Sequence, residues 1–150
     1  MKRFDDFLES GIVKKRTPDK SRSGFLFGFL FDESAKDYAF LLELVKKIPI
    51  NESNVNIVVK QCYDVIMQMV RGQMLLQGYH ARGAGAHEAE VSYLVNLGFS
   101  EKDVEFVDQI RYFRNGMLYY GTIVDLEYAK KVVEFLERVY DRLKKEVKDE

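Results

Sequence analysis

The sequence predicts an all-α fold: an up-and-down antiparallel four-helix bundle with additional short helices, built as one domain over residues 1–150. Three observations predict it. Apolar residues recur every three and four positions through residues 55–75, 101–120 and 125–143, the period of helices with one buried stripe. Short polar or glycine-containing links join these segments, which makes chain neighbours antiparallel. One run alone, Phe25 to Phe31, suits a buried strand by its pattern, and no second strand candidate exists to pair with it.

Residues 1–16 form an N-terminal extension with a short helix, its side chains Phe4, Phe7 and Leu8 on one side. The basic trio Lys14-Lys15-Arg16 follows. It reads as solvated, with phosphate contact as the alternative. Thr17-Pro18 provides an N-cap and a proline at the first helical position, where its missing N–H costs nothing. The helix then runs to Ile48 and stops before Pro49. Ala35, Tyr38, Leu42 and Val45 keep helical spacing, and the phenylalanines of 25–31 are assigned to the core, with an interface as the alternative use.

Asn51 or Asn54 caps the next helix, which ends near Gly78. Val55, Val59, Cys62, Ile66 and Met69 make one stripe, widened by Val58, Val65, Met74 and Leu75. So broad an apolar surface implies burial on more than one side. This helix is central in the bundle or shared with a second subunit. His80 to Ala86 reads as a loop and His87 to Leu97 as a short helix closed by Gly98. Ser100 caps a helix over 101–120, with Glu101 and Asp103 in its first turn and Val107, Ile110, Phe113 and Met117 inward. Asp125 caps the last helix, whose seam is Ala129, Val132, Leu136, Val139 and Leu143. Its outer face offers Glu134 with Arg138, and Asp141 with Lys145, at i, i+4.

Composition bounds the function. The chain is 47% apolar and 31% charged with a formal charge of −1, which argues against broad charge-driven nucleic-acid binding but leaves room for a small basic pocket. The lone Cys62 excludes an internal disulfide and reads as a small core residue. The run Gly24 to Phe31 is far shorter than the ~20 residues that span a bilayer. Charges begin at the second residue, unlike a signal peptide. The expectation is a cytoplasmic protein with no membrane association.

The segment Arg111-Tyr112-Phe113-Arg114-Asn115-Gly116-Met117-Leu118-Tyr119-Tyr120-Gly121 carries the chemistry. Counting back by threes and fours from Arg114 reaches Ile110 and Val107, so Arg114 lies on or beside the inward stripe. A guanidinium there either clamps a phosphate with paired donors or pairs with a carboxylate of a neighbouring helix. Gly116 costs roughly 1 kcal/mol in a helix relative to Ala, which points to close approach of another backbone or a ligand. Tyr119 and Tyr120 add hydroxyls near the helix end; an ordinary phenol pKa of ~10 makes a poor base at neutral pH. His80 and His87 flank a Gly/Ala-rich stretch ending His87-Glu88-Ala89-Glu90. It lacks the Gly-Lys-Ser/Thr of a phosphate loop and any tight metal-ligand spacing, so no metal or cofactor is expected. His87 reads as a capping or supporting group, or as a direct participant in the site. No serine, histidine and aspartate stand at a motif spacing.

Three segments give the chain a resemblance to the HEPN domain family, covering about Pro18 to Lys145. They are GIVKKRTPDK, GYHARGAGAHEAEVSYL and RYFRNGMLYYG. The third is similar to that family's signature of an arginine, a polar residue, a short spacer and a histidine. The resemblance implies a helical bundle, often a homodimer. In catalytic members the arginine and histidine meet across the dimer and cleave RNA without a metal, the ribose 2′-hydroxyl attacking the adjacent phosphate. By position, Arg114 is the phosphate-binding arginine and Asn115 the polar residue. Where the histidine should fall, four to six residues on, the chain has Tyr119 and Tyr120, with Gly121 next and no histidine. The departure removes the group that exchanges a proton near neutral pH. Three functions follow. The first is an RNA- or nucleotide-binding regulatory protein using Arg114, Asn115, Tyr119, Tyr120 and His87, beside a minimal nucleotidyltransferase in a toxin–antitoxin-like pair. The second is a metal-independent ribonuclease in which Arg114 acts with Tyr119 or Tyr120. The third is a structural interaction module.

Overall fold

The computed structural model describes residues 1–17 and 20–148, with side chains at 1–17 and 25–144; Pro18, and with it the expected proline start of the long helix, lies outside the described residues. The elements in chain order are α1 (Phe4–Ser10), β1 (Val13–Lys15), α2 (Lys20–Lys47), α3 (Val55–Leu76), β2 (Tyr79–Ala81), α4 (Ala86–Ser92), a 3₁₀ turn (Tyr93–Val95), α5 (Glu101–Tyr119) and α6 (Leu126–Lys148). The protein is mostly helical, as its periodicity predicts.

Helix α3 is the hub. It packs against α2, α4, α5 and α6. The predicted stripe is buried throughout, from Val55 and Val58 through Cys62, Val65 and Ile66 to Met69 and Met74, while Leu75 is half-buried. Burial on several sides follows from the breadth of that stripe. Opposite it, α6 turns Ala129, Val132, Leu136, Val139 and Leu143 inward, all of them buried.

Side-chain contacts set the directions. A Cβ on Gly72 would meet the Phe27 ring at 3.2 Å, while Gln68 donates to Asp37 at 3.4 Å. Numbers rise along α2 as they fall along α3, so the two are antiparallel. Between α5 and α6, Asp103 meets Arg138 at 2.9 Å, the rings of Phe106 and Phe135 lie 4.8 Å apart, and those of Phe113 and Tyr128 lie 5.1 Å apart. These helices are antiparallel too. Tyr38 of α2 stacks on Tyr140 of α6 with centroids 3.7 Å apart. Asn56, in the first turn of α3, donates to the Thr122 carbonyl and accepts from the Val124 N–H, tying the α5–α6 link to the hub.

Caps follow the sequence in two of three places. Ser100 accepts from the Asp103 N–H at 3.2 Å and Asp125 from the Tyr128 N–H at 2.7 Å. Asn54 occupies the cap position of α3 without capping it. Its side chain accepts from the Asn51 N–H instead, while Asn51 accepts from the Ser53 N–H, a turn closed by side chains.

Several expectations need correction. Residues 13–15 and 79–81 pair as an antiparallel two-stranded ribbon, Val13 opposite Ala81, Lys14 opposite His80 and Lys15 opposite Tyr79. Runs of three residues are too short to show a period. The helix expected over His87 to Leu97 becomes 3₁₀ after Ser92. The phenylalanines of 25–31 divide. Phe27 and Phe31 stack on each other, half-buried, whereas Phe25 and Phe29 are 73% and 56% exposed. Arg138 pairs with Asp103 of α5. The expected Asp141–Lys145 pair involves a side chain outside those described. No helix among the described residues is long and apolar enough to cross a membrane.

Cys62 is fully buried, and burial pushes its thiol up to about 12. A thiol-specific reagent at pH 8 should leave native protein unlabelled and label one site on denaturation; stoichiometric labelling of native protein would contradict this packing.

Candidate functional site

Helix α3 carries charge along one edge. Asp64 and Arg71 stand two turns apart, hence on one face, of a largely apolar helix whose one other charge is Lys60. Each meets an opposite charge from a neighbouring helix. Arg71 forks onto Glu90 of α4, with Nε donating at 2.7 Å and Nη2 at 3.1 Å, the bidentate geometry of the strongest guanidinium–carboxylate pairs. The Glu90 side chain is only 8% exposed, so it depends on this partner. His87, one turn earlier on α4, places Nδ1 3.5 Å from the same carboxylate.

Asp64 faces Arg114 of α5. Arg114 Nε lies 3.5 Å from Asp64 Oδ1, and its guanidinium sits 5.5 Å above the Tyr63 ring. The contact is loose. Buried Nε has no hydrogen-bond partner, and among the described residues no other hydrogen bond reaches the Arg114 guanidinium. One turn earlier, Arg111 donates tightly to Asp108 at 2.7 Å. Arg71 and Arg111 thus each donate to a carboxylate, and Arg114 does not.

Tyr63 lies beneath this cluster. Its hydroxyl is buried without a hydrogen-bond partner. Burial raises its pKa well above the usual phenol value; the charges of Arg111, Arg114 and Arg71 oppose that rise and Glu90 adds to it. The phenol therefore keeps its proton and offers a hydrogen-bond donor as well as an acceptor. Burial likewise raises the Asp64 carboxyl, against the pull of Arg114 and Arg71.

The remaining predicted residues are distributed unevenly. Asn115 is half-buried beside Arg114. Tyr119 and Tyr120 are 75% and 84% exposed at the end of α5, and no ring contact or hydrogen bond joins them to Arg114 among the described residues. His87 belongs to the Arg71–Glu90 pair. Spacing therefore located Arg114 but not its surroundings. Sequence reasoning does not single out Tyr63, Asp64, Arg71, Glu90 or Arg111 as site residues; the legible signal is an acid and a base two turns apart on a broadly apolar helix. Gly116 has a local explanation. Its carbonyl accepts from the Tyr120 and Thr122 N–H groups, and a Cβ there would lie 2.9 Å from Thr122 Cβ. The returning chain after α5 takes the room. Among the described residues, no group of three or more His, Cys, Asp and Glu is placed to hold a metal. Comparisons with protein-family models, curated proteins and solved structures give no match to this chain.

Gly116→Ala should lower stability by up to roughly 2 kcal/mol, an overpacking cost of ~1–3 kcal/mol less ~1 kcal/mol of better helix propensity for Ala. Denaturant unfolding reads it, and a stability gain would refute the close approach. Asp64 gives a prediction in pH. Its folded pKa lies above the ordinary 3.8, so its contribution is fully present below that value and is lost as pH rises through the folded pKa. Asp64→Asn should therefore gain stability relative to wild type between pH 4 and pH 7. A relative loss over that interval would mean that the Arg114 attraction outweighs burial.

Proposed function

We propose that this is an HEPN-like protein that binds RNA or a nucleotide through Arg114 and acts as a binding or regulatory component rather than as an efficient nuclease. One observation carries the reading: of Arg71, Arg111 and Arg114, Arg114 alone is held by a loose contact that leaves its guanidinium without a hydrogen bond among the described residues. A phosphate arriving there gains paired, charge-assisted donors. It also displaces no well-made ion pair, because the facing Asp64 is ionised at a cost. Asn115 sits beside the guanidinium as a second polar group. Tyr119 and Tyr120, exposed one and a half turns on, offer faces on which a base can stack.

The same geometry disfavours rapid turnover. No histidine accompanies Arg114, since His87 is engaged with Glu90. Loss of a matched general acid–base forfeits roughly 100- to 10,000-fold in rate. The wider reading includes an up-and-down four-helix bundle formed by α2, α3, α5 and α6, a cytoplasmic homodimer, and a minimal nucleotidyltransferase as partner.

Fluorescence anisotropy with labelled single-stranded RNA, and calorimetry with nucleotides, test the Arg114 role. A charge-assisted contact worth ~1.5–3 kcal/mol predicts roughly 10- to 100-fold weaker binding by Arg114→Ala. Equal binding by wild type and variant, or none by either, sinks the reading. Rapid metal-free cleavage to 2′,3′-cyclic ends, abolished by Arg114→Ala, would establish a nuclease instead.

A further inference from the structure

The ribbon formed by β1 and β2 joins two stretches of chain far apart in sequence, and the joining concentrates charge. Its ladder extends one residue beyond the strands at each end. The Arg16 N–H donates to the Gly78 carbonyl at 2.9 Å, and the Arg82 N–H donates to the Ile12 carbonyl at 3.1 Å. With Lys14 opposite His80, the alternation of side chains along paired strands sorts the ribbon into two faces. One face carries Val13, Ala81, Tyr79 and Lys15. It is the inner one: Val13 is buried, the Tyr79 ring packs 5.0 Å from Phe4 and 5.7 Å from Tyr93, and the Lys15 ammonium lies over Tyr79. The other face carries Lys14 and His80 and, one position beyond the strands, Arg16 and Arg82; Ile12, opposite Arg82, is half-buried against the core.

On that outer face Lys14, Arg16 and Arg82 are exposed. None of the three is ion-paired among the described residues. No acidic residue occurs in 11–18 or 78–87 to neutralise them. Like charges gathered on one face of paired strands repel, so this arrangement opposes folding unless an anion relieves it. In a chain whose formal charge is −1, it is a segregated patch and not a general surplus.

We infer that the outer face of this ribbon is a second nucleic-acid contact, one that grips the phosphate backbone of a strand without reading its bases. Lys14 stands roughly 7 Å from Arg16 along its strand and roughly 7–8 Å from Arg82 on the diagonal, a spread that meets successive anions rather than encloses a single one. No large exposed apolar side chain occurs within 11–17 or 78–86, whereas a membrane-seeking surface couples basic groups to apolar ones that insert. The ribbon adjoins the C-terminal end of α3, roughly 20 Å along the helix axis from Asp64 at 1.5 Å per residue. A mononucleotide at Arg114 cannot reach it, and an oligonucleotide can. The inference extends the nucleic-acid reading given above but does not require Arg114.

The test measures binding of a labelled single-stranded RNA, and of duplex DNA of the same sequence, from about 50 to about 200 mM salt. It compares wild type, the triple variant Lys14→Gln/Arg16→Gln/Arg82→Gln, the control Lys36→Gln/Lys46→Gln/Lys47→Gln on exposed positions of α2, and Arg114→Ala. With about 0.7 counterions released per single-strand phosphate contact, the ribbon variant should lower the salt slope by about 2 and weaken RNA binding at least tenfold at low salt. The control should leave both unchanged. Far-UV circular dichroism and the unfolding midpoint verify that each variant is folded. Loss on both RNA and duplex DNA supports backbone recognition in general, and loss on RNA alone supports a strand-specific grip. An unchanged slope in the ribbon variant overturns the inference. So does an equal loss in the control, absence of nucleic-acid binding by wild type, or binding only to phosphatidylserine vesicles. If Arg114→Ala matches wild type while the ribbon variant fails, the Arg114 reading falls and the ribbon stands; the reverse pattern retains Arg114 and removes the ribbon.

Discussion

A helix buried around most of its circumference cannot carry a charge unless a neighbour answers it. Helix α3 is that helix here, with Val59, Cys62, Val65, Ile66 and Val70 wholly enclosed. The other long helices pack on it. Its charged edge, Asp64 and Arg71, dictates what they must bring: Glu90 from α4 and Arg114 from α5. The two answers differ in quality. Glu90 meets Arg71 through two short hydrogen bonds, in a pair that fixes α4 against α3. Arg114 meets Asp64 only loosely, above a tyrosine ring whose hydroxyl is itself unpartnered. A half-buried guanidinium left short of acceptors is costly, and on the proposed reading this makes the Arg114 edge the part of the cluster most receptive to an arriving anion.

Much of the architecture was legible in the sequence because burial imposes a period on long helices. The α6 seam and the broad α3 stripe were read residue by residue, and the breadth of the latter correctly implied a central position. Ser100 and Asp125 announced their helices through side chains that cap them. The failures share a cause: they depend on contacts between distant residues. The ribbon is three residues a side, too short for a pattern, and exists because α1 and α4 bring its strands together around Phe4, Tyr79 and Tyr93. Arg138 has an acid four residues before it but takes Asp103 on another helix. Phe25 and Phe29 face outward because the inward side of α2 there belongs to Phe27 and Phe31.

The candidate site was half legible. Position on an inward stripe singled out Arg114, but nothing local distinguishes Asp64 from the chain's other acids. Gly116 shows how a correct oddity can have an ordinary cause. The helix tolerates glycine there because Thr122 folds back over it, not because a ligand approaches. The basic trio changes in the other direction. Lys14 and Arg16 look like solvated charges until pairing sets His80 and Arg82 beside them. A chain of nearly balanced charge can thus hold two separate basic features, one half-buried among carboxylates and one exposed without them.

On the proposed reading, Arg114 is the arginine kept for a phosphate. Its Nε–H is buried, so nitrogen–proton correlation spectra of the arginine side chains report on it directly. Titration with a short single-stranded RNA should shift the Arg114 Nε resonance, identified by its absence in Arg114→Lys, while the Arg71 resonance stays in place on Glu90. An Arg114 signal that remains still at saturating RNA, or a shift confined to Arg71, would contradict the account.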